Sequence, residues 1–308
     1  MNCPSCKSSN IKKKNLVDVE LIIKYYKKKG IDVGYLFTGL DKIEQHECLN
    51  CGLIYFNPAI TGDDAYYSGL QRDKNYFYND KTEFEFSSSY VGRTSKVLDV
   101  GCGKGMFSKF IDCEFYQGLD TSSLSVELAK KENINVINET VQDHSEKFAE
   151  FYDVVVLFQV LEHVFNIDDF LISSLKALKK GGKFIVAVPN NDSFLKDTVN
   201  NYFNIPPHHV LQWNEASLMQ IAKIYNLKVV EMYKEKVRDV HKSWFYTTLK
   251  NKLWRKAFHM NYEICMTRPH LILLNLLSIF LEPIVLIRKI TKYHKSQDGH
   301  TIIAVFEK

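Results

Sequence analysis

The sequence predicts a doubly wound α/β fold, with a small cysteine-bearing module before it and a helical insertion near its end. Strand-like and helix-like segments alternate from about residue 95 onward, which favours a mostly parallel sheet with helices on both faces. A glycine-rich stretch separates the first strand of this series from its first helix. The unbroken apolar run Tyr152–Phe158 is typical of a central parallel strand that is covered on both faces.

The alternation can be followed along the chain. The predicted strands are Lys96–Val100, Phe115–Leu119, Asn135–Ile137, Tyr152–Phe158, Lys183–Val188, Leu227–Tyr233 and Thr301–Phe306. The predicted helices begin over Lys104–Ile111 and continue with Ser122–Lys131, Asp168–Leu178 and Glu215–Tyr225. Ser122 or Ser123 is expected to cap the second helix, and Gly181-Gly182 to end the third.

Composition limits the class of protein. The 308 residues are enough for one large α/β domain with attachments, or for two domains. A net charge of +4 argues against nucleic-acid binding by the whole chain. Four of the seven cysteines form two Cys-x-x-Cys pairs, which suits metal-bound, reduced thiols better than a secreted disulfide framework. Because the chain also starts without the features of a secretory signal, we expect a cytoplasmic protein.

The glycine-rich stretch from Val97 to Gly105 is a candidate nucleotide-binding loop. Glycines let the backbone turn sharply there and approach a ligand closely. A dinucleotide is disfavoured, because Met106 stands where that fingerprint needs a small residue, and Asp99 would repel a pyrophosphate but suits the ammonium of a methionine moiety. Asp120 ends the next strand and can accept hydrogen bonds from ribose hydroxyls, although it could instead only cap the following helix.

These segments together resemble the class I S-adenosylmethionine-dependent methyltransferases, from about Ser95 to Lys308. The resemblance rests on Val97-Leu-Asp-Val-Gly-Cys-Gly-Lys-Gly105, Gly118-Leu-Asp120, Phe151–Val164 and Leu178–Pro189. It implies a Rossmann-like sheet of seven strands that binds S-adenosylmethionine, with Asp99 and the glycines at the methionine end and Asp120 at the ribose. The residues that it implies for cofactor binding are Asp99, Gly101, Cys102, Gly103, Gly105, Asp120, Val141, Gln142, Phe158 and Gln159.

The cysteines before this domain predict a metal centre. Cys3 and Cys6 form one knuckle and Cys48 and Cys51 a second, and four thiolates from two such knuckles can close a tetrahedral zinc site. A site filled by four thiolates has no open position, so its role would be structural. Free or redox-active cysteines are the alternative.

The predicted division of the chain follows from this. Residues 1–60 form a zinc-ribbon-like module, residues 61–94 a connector, and residues 95–308 the methyltransferase domain, with a helical insertion over 234–299. A zinc module joined to a class I domain resembles the methyltransferases of sugar and surface-polysaccharide pathways. That resemblance implies a hydroxyl of a sugar or sugar nucleotide as the acceptor.

Three histidines are candidates for the acceptor side of the site. His208 and His209 follow the fifth strand, on the side where such sheets bind ligands. Methyl transfer to a hydroxyl requires the removal of one proton, and a histidine can accept a proton near neutral pH. The alternative is that the pair only hydrogen-bonds to the backbone of a tight loop. His163, in Leu161-Glu-His-Val164, is the third catalytic candidate, although in this family such a residue more often shapes the pocket.

The insertion over 234–299 is far longer than an ordinary connection. From Lys234 to Lys295 it carries thirteen Lys and Arg against four Asp and Glu, a local balance of +9. Its aromatic residues and the apolar run Leu271–Ile287 could lie at an anionic membrane surface, which would place the protein at the inner membrane. We favour the alternative that the insertion is a helical lid or a homodimer surface whose lysines are only solvated. The run contains Asn275, Glu282 and Pro283, so it is a poor spanning helix.

Two other functions remain open on sequence grounds. The first is an RNA or protein methyltransferase that uses the zinc module for recognition. Seven lysines between Ile11 and Lys29 support it, but the module lacks a basic stripe combined with stacking aromatics. The second is a nucleoside-binding protein without turnover, and the intact set of Asp99, the glycines and Asp120 argues against it.

Overall fold

The computed structural model describes residues 2–71, 82–259, 264–265 and 279–308. The strands are β1 (Ile11–Asp18), β2 (Lys42–Cys48), β3 (Ile54–Asn57), β4 (Lys96–Val100), β5 (Phe115–Leu119), β6 (Val136–Ile137), β7 (Tyr152–Phe158), β8 (Leu178–Pro189), β9 (Leu211–Gln212), β10 (Lys228–Lys236) and β11 (Asp298–Glu307). The α-helices are α1 (Val19–Lys28), α2 (Asp64–Gln71), α3 (Thr82–Ser88), α4 (Ser123–Lys131), α5 (Val141–Lys147), α6 (Ile167–Ala177), α7 (Glu215–Ile224), α8 (Lys242–Ala257) and α9 (Glu282–Ile290).

The larger sheet has seven strands in the order β10-β11-β8-β7-β4-β5-β6, which confirms the predicted fold. The five strands from β8 to β6 run parallel to their neighbours, whereas β11 pairs antiparallel with both β8 and β10. The central strand β7 is buried almost throughout, because helices and loops cover both of its faces. Alternate residues of β7 accordingly enter different cores: Val155 and Leu157 enter one, and Val154 and Val156 the other.

Helix boundaries depart from the sequence expectations in two places. The segment predicted as a helix over Lys104–Ile111 forms only a short 3₁₀ turn, Met106–Phe110. The third predicted helix ends at Ala177, before the glycine pair, because the buried Leu178 already pairs with Tyr152 in the sheet. Gly181 and Gly182 therefore lie within β8.

Four helices were not predicted: α1 in the N-terminal module, α2 and α3 in the connector, and α5 after β6. In α1, the residues Val19, Ile22 and Tyr26 are buried at helical spacing. In α5, Thr140 caps the helix by accepting a hydrogen bond from the backbone N–H of Asp143. The polar residues that follow β6 therefore begin a helix.

A second, four-stranded antiparallel sheet has the order β1-β2-β3-β9. Its first three strands come from the predicted zinc module, but its edge strand β9 comes from the segment just after His208 and His209. Cys3, Cys48 and Tyr55 share a hydrophobic core with Leu98 of the larger sheet. The division into a module, a connector and a domain remains a prediction. Residues from before and after the connector share one hydrophobic core.

The insertion between β10 and β11 is helical where the structure describes it. Helix α8 packs Phe245 and Tyr246 against Phe194, which follows β8. Helix α9 leaves Leu286, Ile287 and Ile290 exposed. The first part of the predicted apolar run, 271–278, lies outside the described residues. None of the helices in the described ranges is both long and apolar enough to cross a bilayer.

Candidate cofactor and acceptor site

The carboxyl ends of β4, β5 and β7 meet at one edge of the larger sheet and border a cavity of about 790 Å³. Asp99 lies near the end of β4, Asp120 follows β5, and Phe158 ends β7. Open α/β sheets bind ligands outside the carboxyl ends of their strands, where the strand order reverses. The volume lies within the range of pockets that enclose small molecules.

The glycine loop holds the carboxylate of Asp120 at the wall of the cavity. Gly101 and Gly103 have φ angles of +69° and +57°, in the left-handed region that side chains disfavour. The backbone N–H of Gly103 donates to Oδ2 of Asp120 at 2.7 Å, and the N–H of Ser122 donates to Oδ1 at 2.8 Å. Burial raises the pKa of Asp120, while these two hydrogen bonds favour its ionised form. Its carboxylate is thus held in one orientation at the cavity.

Asp99 is held in a similar way from the neighbouring strand. It is buried, and the hydroxyl of Tyr116 donates to its Oδ2 at 2.8 Å. Burial, together with the charge of Asp99, raises the pKa of Tyr116 well above its usual value, so the phenol keeps its proton and remains a donor. The loop therefore presents two oriented carboxylates to one cavity, which fits a ligand with both a cationic group and ribose hydroxyls.

Most residues implied for cofactor binding line this cavity. They are Asp99, Gly101, Cys102, Gly103, Asp120, Val141, Gln142, Phe158 and Gln159. Gly105 is absent from the lining: a Cβ there would lie 2.6 Å from Ile134 and 2.9 Å from Val136. A glycine at 105 therefore permits close packing behind the loop.

The same cavity contains all three predicted histidines, which form one cluster. We call His163, His208 and His209 the histidine cluster. The ring of His163 lies 4.8 Å from each of the other two rings, and those two stack at 4.7 Å. The sequence offered them as separate candidates, and the structure brings them together.

Hydrogen bonds orient two of the three imidazoles. Nδ1 of His163 lies 2.6 Å from the carbonyl oxygen of His208 and 3.1 Å from the hydroxyl of Tyr67. Because a carbonyl only accepts, we assign the proton of His163 to Nδ1. Nδ1 of His209 lies 3.1 Å from the side-chain oxygen of Asn204, which assigns its proton in the same way. In both rings Nε2 is left with its lone pair.

Burial also decides the charge of the cluster. It lowers the pKa of His163 to about 4 and those of His208 and His209 well below the usual value, and for His208 and His209 the neighbouring imidazoles add to the effect. At neutral pH the three rings are therefore uncharged, and each can act as a base or as a ligand.

The four-stranded sheet positions this cluster. The backbone N–H of Phe56 donates to the carbonyl of Val210 at 3.1 Å, and that of Gly62 donates to the carbonyl of Pro207 at 2.8 Å. On the other side, the N–H groups of Val210 and Leu211 donate to the carbonyl of Glu162, at 2.9 and 3.1 Å. The segment that carries His208 and His209 is thus fixed between the N-terminal sheet and the end of β7.

Sequence reasoning did not single out four residues at this end of the cavity. Tyr67, Glu162 and His300 line it, and Asn204 holds His209. Glu162 lies next to His163 in the segment Leu161-Glu-His-Val164, so its neighbour could have indicated it as a further candidate. Tyr67 and His300 come from the connector and the last strand, and no local pattern placed them near the histidines.

The four cysteines of the predicted metal centre form a second cluster, which we call the cysteine cluster. Their Sγ atoms all lie within 4.8 Å of one another. Sγ of Cys3 is 3.7 Å from that of Cys51, and Sγ of Cys6 is 3.5 Å from that of Cys48. Four sulfurs bound tetrahedrally at about 2.3 Å from a zinc ion lie about 3.8 Å apart, so the geometry and the donor set fit zinc.

Comparisons with known proteins agree with this architecture. Residues 70–232, more than half of the chain, match the family described as "Methyltransferase domain". The chain is 25% identical to a ubiquinone biosynthesis O-methyltransferase of Rickettsia conorii, over 84% of this chain and 97% of that protein. It is 34% identical to the protein of the same name from Erwinia tasmaniensis, over 32% of this chain and 44% of that protein.

A solved structure shows the same fold. The SAM-dependent methyltransferase from Archaeoglobus fulgidus superposes with a TM-score of 0.52 at 16% identity, covering 79% of this chain and all of that one. The family match, together with a cavity bordered by Asp99 and Asp120, identifies the reaction class and removes the alternative of a nucleoside-binding protein without turnover. The chain belongs to the methyltransferase-domain family and is a class I S-adenosylmethionine-dependent methyltransferase.

Proposed function

We propose that this enzyme transfers a methyl group from S-adenosylmethionine to a hydroxyl oxygen of a small molecule that carries a ring. The single observation that carries the proposal is that the histidine cluster and the two acids, Asp99 and Asp120, line one cavity. The two acids would bind the cofactor, and the histidine cluster would bind the acceptor hydroxyl. The related proteins named O-methyltransferases support oxygen as the atom that is methylated.

The chemistry needs little more than orientation and the removal of one proton. S-adenosylmethionine, when bound, supplies an electrophilic methyl group on a sulfonium. Asp99 and the glycine loop would hold its methionine end, and Asp120 its ribose. An acceptor oxygen at the histidine cluster is then positioned to attack: the new C–O bond forms as the C–S bond breaks, and the hydroxyl proton is released to solvent with the assistance of the cluster. Positioning of this kind needs no covalent enzyme intermediate.

The walls of the acceptor end favour a flat or ring-shaped molecule. Tyr67, Phe165, Phe170 and Phe203 line the cavity, and the rings of Tyr67 and Phe203 lie 6.0 Å from His163 and 5.2 Å from His208. Aromatic side chains stack on aromatic rings and on the apolar faces of sugars. The related proteins are named ubiquinone biosynthesis O-methyltransferases. No comparison supports the sugar acceptor that was expected from the sequence. We therefore propose a ring hydroxyl and treat sugars, RNA and protein as alternatives for the test.

The test is transfer from S-adenosylmethionine that carries an isotope-labelled methyl group. Soluble catechol, a nucleotide sugar, total RNA and a denatured protein extract are supplied as separate acceptors, and Asp120→Ala is the matched control. We expect label in methylated catechol only, as a methyl ether identified by mass spectrometry. Label in the nucleotide sugar restores the expected sugar acceptor, and label only in RNA or protein overturns the proposal.

We also propose that the cysteine cluster holds one structural zinc ion through Cys3, Cys6, Cys48 and Cys51. The thiols fill a tetrahedral shell, so no position is left for a substrate. Elemental analysis of protein purified without added metal should find one zinc per chain. Zinc-free protein with four freely titrating thiols contradicts this assignment.

Helix α9 supports a proposal on location: a cytoplasmic enzyme that contacts the inner membrane surface. Leu286, Ile287 and Ile290 are exposed by 56%, 64% and 72%, and the exposed Lys292 and Lys295 follow the helix. Apolar side chains beside lysines suit an anionic lipid surface. Sedimentation with phosphatidylglycerol vesicles, but not with phosphatidylcholine vesicles, is expected, and Ile287→Ser/Ile290→Ser should reduce it. Equal sedimentation of this variant and the native chain contradicts the proposal.

A further inference from the structure

We infer that the histidine cluster, together with Glu162, is a binding site for a divalent metal ion at the acceptor end of the cavity. This inference deepens the proposed function and rests on it, since the ion would bind the acceptor oxygen. It concerns a second centre, separate from the cysteine cluster and different in its ligands.

The distances fit a single ion. One ring nitrogen from each of His163, His208 and His209 lies within 4.8 Å of the others. Oε1 of Glu162 is 4.0 Å from Nε2 of His163 and 3.9 Å from Nε2 of His209. Ligands bound at about 2.0–2.2 Å lie roughly 3–4 Å from one another, so the carboxylate and the two nitrogens could share an ion after small side-chain movements.

The hydrogen bonds around the cluster match those around metal-binding histidines. Such a residue commonly donates its second ring N–H to a carbonyl or carboxylate, which fixes the ring and leaves the other nitrogen for the metal. His163 does this with the carbonyl of His208, and His209 does it with the side-chain oxygen of Asn204. In both cases Nε2, the atom facing Glu162, is left for the ion.

His208 adds an independent observation. Its Nδ1 is buried and has no hydrogen-bond partner among the residues that the structure describes. A buried nitrogen without a partner costs free energy, commonly about 1–3 kcal/mol. A metal ion in the cluster would give that nitrogen, or its ring after rotation, a ligand role.

The position of the cluster gives the ion a use. An ion that takes six ligands keeps two coordination positions open when three imidazoles and one carboxylate bind it, whereas four thiolates fill the tetrahedral shell of zinc. A hydroxyl bound in an open position has a lowered pKa, because the cation stabilises its anion. The released proton passes to solvent, the oxygen attacks the methyl carbon, and the sulfonium becomes a neutral thioether. The ion is not consumed.

The experiment uses Co²⁺ alone as the probe, with the full chain and its cysteine cluster already filled with zinc. Calorimetry and visible absorption should show one additional Co²⁺ bound, without the intense sulfur-to-cobalt band that displacement of zinc from thiolates would give. His163→Ala and His209→Ala should lose this additional ion. His300→Ala is the matched control, because His300 lines the same cavity but lies outside the cluster, and it should keep the ion.

Affinity for S-adenosylhomocysteine shows whether each variant is folded, since no histidine of the cluster belongs to the glycine loop. The inference is overturned if the native chain takes up no additional Co²⁺, or if His163→Ala and His209→Ala bind it as the native chain does. Failure of the proposed function looks different: Co²⁺ binds as expected, but no catechol is methylated. Catechol methylation that persists unchanged after metal removal refutes the metal inference and leaves the proposed function standing.

Discussion

The cysteine cluster and the histidine cluster are connected through the four-stranded sheet, and they differ in their donor atoms and in their access to the cavity. The cysteine cluster has four soft sulfur donors, of which Cys3, Cys48 and Cys51 are buried in the hydrophobic core. The histidine cluster has nitrogen donors beside a carboxylate, and it opens into the cavity that the cofactor loop borders.

This difference in donors suggests different roles for the two clusters, a structural one for the cysteines and a chemical one for the histidines. Four thiolates around one zinc ion leave no coordination position for a substrate, so they can only stabilise the fold. Neutral imidazoles that line a cavity can accept a proton or bind a metal ion there. The two clusters are linked through the four-stranded sheet, because Cys48 ends β2, β2 pairs with β3, and β3 pairs with β9. His209 stands two residues before β9. With zinc bound as proposed, the first cluster would stabilise the sheet whose edge strand β9 adjoins the second cluster.

The largest effect is expected from breaking the cysteine cluster. Cys48→Ser should remove zinc and unfold the N-terminal sheet, because zinc binding to small structural sites contributes roughly 10–16 kcal/mol at pH 7. Hydrogen exchange should show lost protection over β1, β2 and β3 and in the His208-His209 segment. Cys113→Ser is the matched control, since Cys113 lies outside the cluster. Unchanged protection in Cys48→Ser would disprove the link between the two clusters.

The next effect tests the histidine cluster without disturbing the first. His209→Ala should slow methyl transfer by about 10²–10⁴-fold, the usual contribution of a group that assists proton removal. Zinc content and cofactor affinity should stay at the native level, because His209 contacts neither the cysteines nor the glycine loop. Turnover within threefold of the native rate, about 0.6 kcal/mol in barrier height, would show that the cluster takes no part in the reaction.

Asp120→Ala should do the opposite and weaken the cofactor first. Hydrogen bonds to a charged group contribute about 1.5–3 kcal/mol, so calorimetry with S-adenosylhomocysteine should show at least a tenfold loss of affinity. The melting temperature should be compared in parallel, because Asp120 also accepts from the backbone of Gly103 and Ser122. Native affinity in a folded variant contradicts the ribose assignment.

The smallest effect is expected from Tyr67→Phe. This change removes the hydroxyl oxygen that accepts a hydrogen bond from Nδ1–H of His163, at 3.1 Å, but leaves the shorter bond from Nδ1–H to the carbonyl of His208. A neutral hydrogen bond contributes about 0.5–1.5 kcal/mol, so affinity for Co²⁺ should fall by no more than about tenfold. A complete loss would mean that Tyr67 itself binds the ion or the acceptor.

Much of the fold could be predicted because its signals are local. The β-forming run Tyr152–Phe158 became β7 with the same bounds, and Ser122 caps α4 as one of the two expected residues. The glycine loop and the acid after β5 identified the cofactor edge. The helix α1 was missed because its lysines and β-branched residues hide three buried positions at helical spacing, Val19, Ile22 and Tyr26.

The acceptor end could be predicted only in pieces. His163 and the pair His208-His209 were each recognised from position along the chain, but nothing local shows that they share a cluster 45 residues apart. Tyr67 and Asn204 reach it from the connector and from a 3₁₀ turn. These contacts depend on how separate segments pack, which periodicity does not encode.

Local patterns were enough to predict the elements that depend on neighbouring residues: the glycine loop after β4 with Asp99, the acid Asp120 after β5, and the two Cys-x-x-Cys knuckles. Each is set by backbone preferences and ligand chemistry over a few positions. The sequence could not show that β9 joins the N-terminal sheet, nor that three neutral histidines cluster in the cofactor cavity, where two of them face Glu162. Burial and pairing between distant segments fix both the place and the charge of these side chains, and no local pattern encodes either.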